Sequence, residues 1–147
     1  MFKHILVPTD GSELSNVAVK AAIPFAKLHG ARLTAFHAME AAPSSAFGDY
    51  DLENSLSPEE FRTSEEGKAR RILSTVEEAA KAAGVPCDSA TLAARHPYEA
   101  IIKTAQDQGC DLIFMASHGR RGMSALVLGS ETHKVLTHCS IPAMVYR

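Results

Sequence analysis

Two short stretches of this sequence carry the polar and glycine residues from which a ligand site could be built, and the second has the residue types suited to holding a phosphate. One is Pro8-Thr9-Asp10-Gly11, directly after the apolar run Ile5-Leu6-Val7. The other runs Met115-Ala116-Ser117-His118-Gly119-Arg120-Arg121-Gly122 and leads, after Leu128, into Gly129-Ser130-Glu131-Thr132. A Gly-Ser pair that opens a helix offers backbone N–H groups without partners, plus a hydroxyl, at the positive end of the helix dipole. Such a place favours phosphate, and Arg120 and Arg121 could add charge-assisted bonds to the same anion. Each feature has a plainer reading as well. Ser130 is an ordinary N-cap residue, Asp10-Gly11 an ordinary turn, and a glycine-punctuated loop with two solvated arginines needs no ligand.

The elements that must position these residues follow from two alternating hydrophobic rhythms. Short apolar runs at Lys3–Pro8, Ala31–Met39, Pro86–Ala93, Asp111–Ser117 and Pro142–Tyr146 read as strands. Between them lie helical stretches. The first, Ser12 to His29, has Val17, Ala18, Ala21, Ala22, Phe25, Ala26 and Leu28 close to one face, and Pro24 inside it predicts a kink or a local loss of hydrogen bonding. The second restarts at Ser57-Pro58-Glu59-Glu60, a capping box with a first-turn proline, and runs to about Ala83 with an early irregularity near Gly67. Pro97 opens the third, which Gly109 closes, and Ser130–His138 is the fourth. Three times the chain reads helix, glycine, strand, at Gly30, Gly84 and Gly109, as expected where a left-handed glycine ends a helix. Residues 40–57 have no period and read as a long loop.

Strands joined by helical crossovers imply a parallel sheet. The expected fold is therefore α/β: a single domain over 1–147 with one open parallel five-stranded sheet, order 3-2-1-4-5, helices on both faces, Rossmann-like. In such sheets ligands bind beyond the carboxyl ends of the strands where the winding reverses. The first and fourth strands end there, which is where the two stretches begin.

Composition narrows the function. With 147 residues, 46% hydrophobic and 22% charged, the chain has the make-up of an ordinary globular domain. Fifteen Lys+Arg against 17 Asp+Glu give a net charge of −2, which is not the footprint of a nucleic-acid binder. No apolar run is long enough for a membrane span or a signal peptide. Cys87, Cys110 and Cys139 are odd in number and lack C-x-x-C spacing, so they read as reduced thiols in a cytoplasmic protein. His133 and His138 are five apart, not the four that zinc helices use, and His118 has no partner at metal spacing. Arg70-Arg71 and Glu77-Glu78 read as a solvated helix face.

The spacing from Ala116 to Ser130, with Gly119 three residues after the first position and Gly129-Ser130 after nine more, resembles the phosphate motif of the universal stress protein family in its nucleotide-binding branch. That motif has glycine where Ala116 stands. The opening Ile-Leu-Val-Pro-Thr-Asp-Gly-Ser and the closing Ile141-Pro142-Ala143-Met144-Val145-Tyr146 are similar to the same family, so the likeness spans the chain. The resemblance implies the adenine nucleotide alpha hydrolase-like version of the fold and an ATP site. Pro8, Thr9 and Asp10 would flank adenine and ribose, with Ala38, after the second strand, completing the base pocket. Met115, Ala116, Ser117, His118, Gly119, Arg120, Arg121 and Gly122 would wrap ribose and phosphates. Gly129, Ser130, Glu131 and Thr132 would cap the phosphate chain, with Mg²⁺ or Mn²⁺ bridging phosphates. It also implies a homodimer through Pro142–Tyr146, an apolar edge open to pairing. Alanine at position 116 is excluded only if the backbone needs positive φ or a contact too close for a methyl.

No G-x-x-x-x-G-K-[ST] loop and no water-orienting base accompany the phosphate stretch, so ATP binding with little or no hydrolysis is the expectation. A nucleotide-free dimeric interaction module is the alternative, with residues 40–57 as its recruiting loop.

Overall fold

The computed structural model describes residues 1–42, 56–118 and 128–147. The order of elements is β1 (His4–Pro8), α1 (Glu13–His29), β2 (Arg32–Glu40), α2 (Pro58–Ala82), β3 (Cys87–Ala94), α3 (Pro97–Asp107), β4 (Leu112–Ala116), α4 (Ser130–His138) and β5 (Ala143–Tyr146). The five strands form one sheet in the order β3-β2-β1-β4-β5. Every neighbouring pair is parallel, so the expected architecture is the observed one.

Strand alternation divides the core into two layers. Ile5 and Val7 of β1, Leu33 and Ala35 of β2, and Leu112, Phe114 and Ala116 of β4 pack against α1 and α2. Leu6, Phe36, Ile113 and Met115 point the other way, against Ala100, Ile101 and Ala105 of α3 and Val135 of α4. β1 and β4 are buried along their whole length because both of their faces are covered.

The punctuation is as the sequence suggests. Gly30, Gly84 and Gly109 all have φ between 62 and 72°, the left-handed conformation that releases the chain from a helix into the next strand. Ser12 caps α1 by accepting from the Ser15 amide, and Ser57 with Glu60 completes a capping box on α2. α1 runs to His29 with Pro24 inside it on its exposed side, where the ring has no N–H to give to the helix. Two expectations are corrected. α2 runs unbroken through Gly67. The buried face of α1 is Ser15, Ala18, Val19, Ala22, Ile23 and Ala26, whereas Val17 and Leu28 are 41% and 83% exposed. At about 100° per residue Val17 lies about 180° from Ala26. Counting apolar residues joined two arcs of the helix of which only one meets the sheet.

At the amino-terminal edge of the sheet, the Asp111 carboxylate accepts from the Lys3 and His4 amides at 2.8 and 3.0 Å, pinning the start of β1 beside β4. His4 itself is buried, with Nε2 2.7 Å from the Thr34 hydroxyl. Burial and the nearby Arg32 guanidinium lower its pKa below the ordinary 6.5, against the opposing pull of the Gln108 carbonyl, Asp111 and Asp88. The unfolded chain therefore takes up a proton near 6.5 that the folded chain accepts only at lower pH. His4 contributes its full stability above pH 6.5, and that contribution is lost as pH falls through the window beneath. Urea midpoints measured from pH 7.5 downward should show an acid-side decline that is shallower in His4→Gln; identical slopes would remove His4 from the account.

Candidate functional site

β1 and β4 are adjacent in the middle of the sheet, with their chains departing to opposite faces, so the switch point lies beyond their carboxyl ends. Pro8 is the last residue of β1 and is buried. Thr9 carries the chain out of the sheet and is held on every side. Its amide donates to the Phe36 carbonyl at 2.8 Å. Its hydroxyl meets the Ser15 hydroxyl at 3.0 Å and accepts from the Gly11 amide at 3.2 Å. Its carbonyl accepts from Nδ1 of His37 at 2.8 Å. Asp10, half-buried, accepts from the Ser12 amide at 2.9 Å, an Asx turn feeding straight into the Ser12 cap of α1.

On the β4 side, Met115 and Ala116 are buried strand residues. Ala116 is the last residue of β4 and sits in extended backbone, with its side chain in the α1–α2 core layer. The methyl thus occupies apolar space that the fold already fills, and the backbone makes no demand for glycine there. Ser117 and His118 follow, both buried, with the Ser117 hydroxyl 3.0 Å from His118 Nδ1. Gly119, Arg120, Arg121 and Gly122 lie outside the described residues.

α4 returns directly to this point. The Gly129 amide donates to the Ser117 carbonyl at 2.8 Å, and the Thr132 hydroxyl donates to the Ala116 carbonyl at 3.0 Å. Gly129 has φ −58° and ψ 147°, open to any residue, so its backbone needs no glycine. Space does: a Cβ there would lie 2.9 Å from the Ser117 carbonyl oxygen and 3.2 Å from His118 Cα. As N-cap, Gly129 brings no side chain to the first-turn amides, and among the described residues no other side chain accepts from those of Ser130, Glu131 or Thr132. Ser130 is exposed. Glu131 faces elsewhere: its carboxylate accepts from the Tyr98 amide at 2.8 Å and pairs with Lys134 at 3.1 Å, so it serves as the missing cap of α3.

The structure therefore brings together Pro8, Thr9 and Asp10 at one strand end and Met115, Ala116, Ser117, His118, Gly129 and Thr132 at the neighbouring one. Ala38 is corrected in position: it does not follow the second strand but lies within β2 (Arg32–Glu40), opposite Leu92 of β3. There the Glu40 amide donates to Glu65 of α2 at 3.0 Å. Burial works to raise the Glu65 carboxyl, but that amide and Lys68 outweigh it and hold the group below the usual range. Two residues missed in the sequence, His37 and Ser15, make the buried polar floor of the β1 turn. Nothing in their spacing marks them, since one sits in an apolar strand and the other in a helix face. Among the described residues no group of three His, Cys, Asp or Glu side chains is placed to hold a metal ion.

A sequence profile described as "Universal stress protein family" matches residues 1–147. The chain belongs to the universal stress protein family. A universal stress protein encoded in the 3′ region of a QAH/OAS sulfhydrylase in Thermus aquaticus is 34% identical over 147 residues, covering 100% of both chains. Among solved structures, the hypothetical protein MJ0577 superposes with a TM-score of 0.74 at 25% identity, covering 99% of this chain and 95% of its own. A universal stress protein in complex with cAMP superposes with a TM-score of 0.72 at 24% identity, covering 99% and 97%. Among the described residues of this universal stress protein, no helix is long and apolar enough to cross a membrane.

Proposed function

We propose that this universal stress protein binds an adenine nucleotide, ATP foremost, at the carboxyl ends of β1 and β4, and acts as a regulatory binding protein of the stress response. The observation that carries the reading is the start of α4. Both α1 and α2 open on a serine whose side chain caps the helix. α4 opens on Gly129, seated against the Ser117 carbonyl, and keeps its first-turn amides clear of any cap from the described residues. Three N–H groups at a helix N-terminus are suited to a phosphate, and they face the strand ends where this fold class holds ligands. The relative that holds cAMP gives the reading its adenine nucleotide. Met115, Ala116, Ser117, His118, Gly129, Ser130, Glu131 and Thr132 are the proposed contacts beside Pro8, Thr9, Asp10 and Ala38, and Gly119 to Gly122 complete the set. Glu131 contributes through its amide, its carboxylate being engaged by α3.

A divalent ion, Mg²⁺ or Mn²⁺, would ride on the phosphates rather than on a carboxylate cage, keeping most of its waters. Little or no hydrolysis is expected to accompany binding, because the sequence has no G-x-x-x-x-G-K-[ST] loop to place a lysine at the γ-phosphate. Three free cysteines suit a reducing, cytoplasmic setting.

The test is a thermal and urea melt with ATP or AMP, with and without Mg²⁺. A nucleotide present at 100 times its Kd should stabilise the fold by about 2.7 kcal/mol. No stabilisation by either nucleotide would turn the reading over to the ligand-free interaction module.

The proposed assembly is a homodimer formed by antiparallel pairing of β5. β5 is an edge strand, bonded among the described residues only to β4, and Ala143, Met144 and Val145 are half-buried on an edge without charge. Val145→Asp places a charge in that seam, and sedimentation should show a monomer that is still folded. A Val145→Asp protein that sediments as the parent does would remove this edge as the interface.

A further inference from the structure

The geometry points to His37 as a positioning residue: by holding the Thr9 carbonyl it sets the orientation of the β1–α1 turn, and with it the affinity for nucleotide. The inference rests on the nucleotide-binding reading above. His37 lies in β2 and is 4% exposed. A carbonyl only accepts, so the 2.8 Å contact with Thr9 requires Nδ1 to carry the hydrogen. Nε2, on the other side of the ring, is buried and has no hydrogen-bond partner among the described residues. A buried nitrogen left unsatisfied costs free energy that an apolar side chain of similar size would not incur. The ring is therefore an unfavourable choice for packing alone, and what it provides in return is the bond to Thr9.

That bond matters because of where Thr9 stands. The amide of Thr9 still belongs to the sheet, through Phe36, and its hydroxyl belongs to α1, through Ser15. The carbonyl is the first group of the turn itself, and His37 is its anchor. The peptide bond is planar and trans, so the Asp10 N–H points away from the Thr9 C=O. By drawing the carbonyl into the core, His37 turns the Asp10 amide outward and fixes the plane from which the Asp10 side chain and Gly11 depart. One buried donor on β2 thus sets the shape of the surface that β1 offers to a ligand.

The experiment compares His37→Leu with His37→Asn. Asparagine can place its amide NH₂ where Nδ1 stands, whereas leucine fills the volume and removes the donor. Two quantities are read in each folded protein: Kd for ATP with Mg²⁺ and for AMP, and hydrogen exchange at the Gly11 and Ser12 amides. His37→Leu should weaken binding about tenfold, the loss expected for one hydrogen bond, and speed exchange at both amides. His37→Asn should stay close to the parent in both. Parent-like affinity and exchange in His37→Leu would overturn the proposal, as would equal losses in the two variants. Should the parent bind neither nucleotide, the functional reading falls, and exchange at Gly11 and Ser12 still decides whether His37 holds the turn.

Discussion

Gly129→Ala should already destabilise the protein, by about 1–3 kcal/mol, and Gly129→Val by more. The added Cβ would stand 2.9 Å from the Ser117 carbonyl oxygen and 3.2 Å from His118 Cα. Both are backbone atoms at the end of a buried strand, so neither can swing aside as the tip of a flexible side chain would. Relief requires α4 to lift off β4, which stretches the Gly129 amide bond to Ser117 and the Thr132 hydroxyl bond to Ala116. Val135, fully buried one turn further on, is drawn out of the α3–α4 layer by the same movement. Nucleotide affinity and stability should therefore fall together. Ser130→Ala, at an exposed neighbour, should leave stability within about 0.5 kcal/mol of the parent. Urea unfolding of the three variants decides the matter. Parent-like stability in Gly129→Ala would mean that the close approach of helix to strand is not required.

The same residue shows where reading a sequence stops. Glycine at 129 looks like room kept for a phosphate, because spacing tells which residues recur but not what lies opposite them. Folded, that room is filled by the protein's own backbone. Ala116 illustrates the converse. In the sequence it is a departure from a glycine motif, yet its backbone is extended and its methyl faces the core, so the departure asks nothing of the fold. The strand-and-helix order was legible because Gly30, Gly84 and Gly109 each do one local job, ending a helix in the left-handed conformation, and the residues on both sides of each carry their own period. His37 was not legible: it breaks no pattern in β2, and its contact with Thr9 joins residues 28 apart. The family resemblance puts Glu131 beside the phosphates, while in the fold the lack of a side-chain cap at His96 of α3 draws its carboxylate to the Tyr98 amide. Such claims by one helix on another's side chain arise only when the layers are assembled.

Phe36→Ala carries the largest expected loss, about 3–5 kcal/mol. Phe36 is completely buried in the second strand, paired with Pro8 of β1 on one side and Ala90 of β3 on the other. Its ring belongs to the layer formed by Leu6, Ile113 and Met115 against Ala100, Ile101 and Ala105 of α3. Strand residues flanked by bonded neighbours cannot close in on a vacated ring, so most of the volume would remain as a cavity. Against a total stability of about 5–15 kcal/mol for a domain, the loss brings the variant close to unfolding at physiological temperature. At about 2–4 °C per kcal/mol for a chain of this length, the melting temperature should drop by roughly 6–20 °C. The lesion also reaches the site, since the Phe36 carbonyl accepts from the Thr9 amide that launches the β1–α1 turn. Nucleotide binding should therefore weaken even at temperatures where Phe36→Ala remains folded. Phe25→Ala, at a half-buried ring on α1 packed against Phe2, His29 and Phe114, should be milder and spare the turn. Equal destabilisation by the two substitutions would contradict the placement of the core between the sheet and α3.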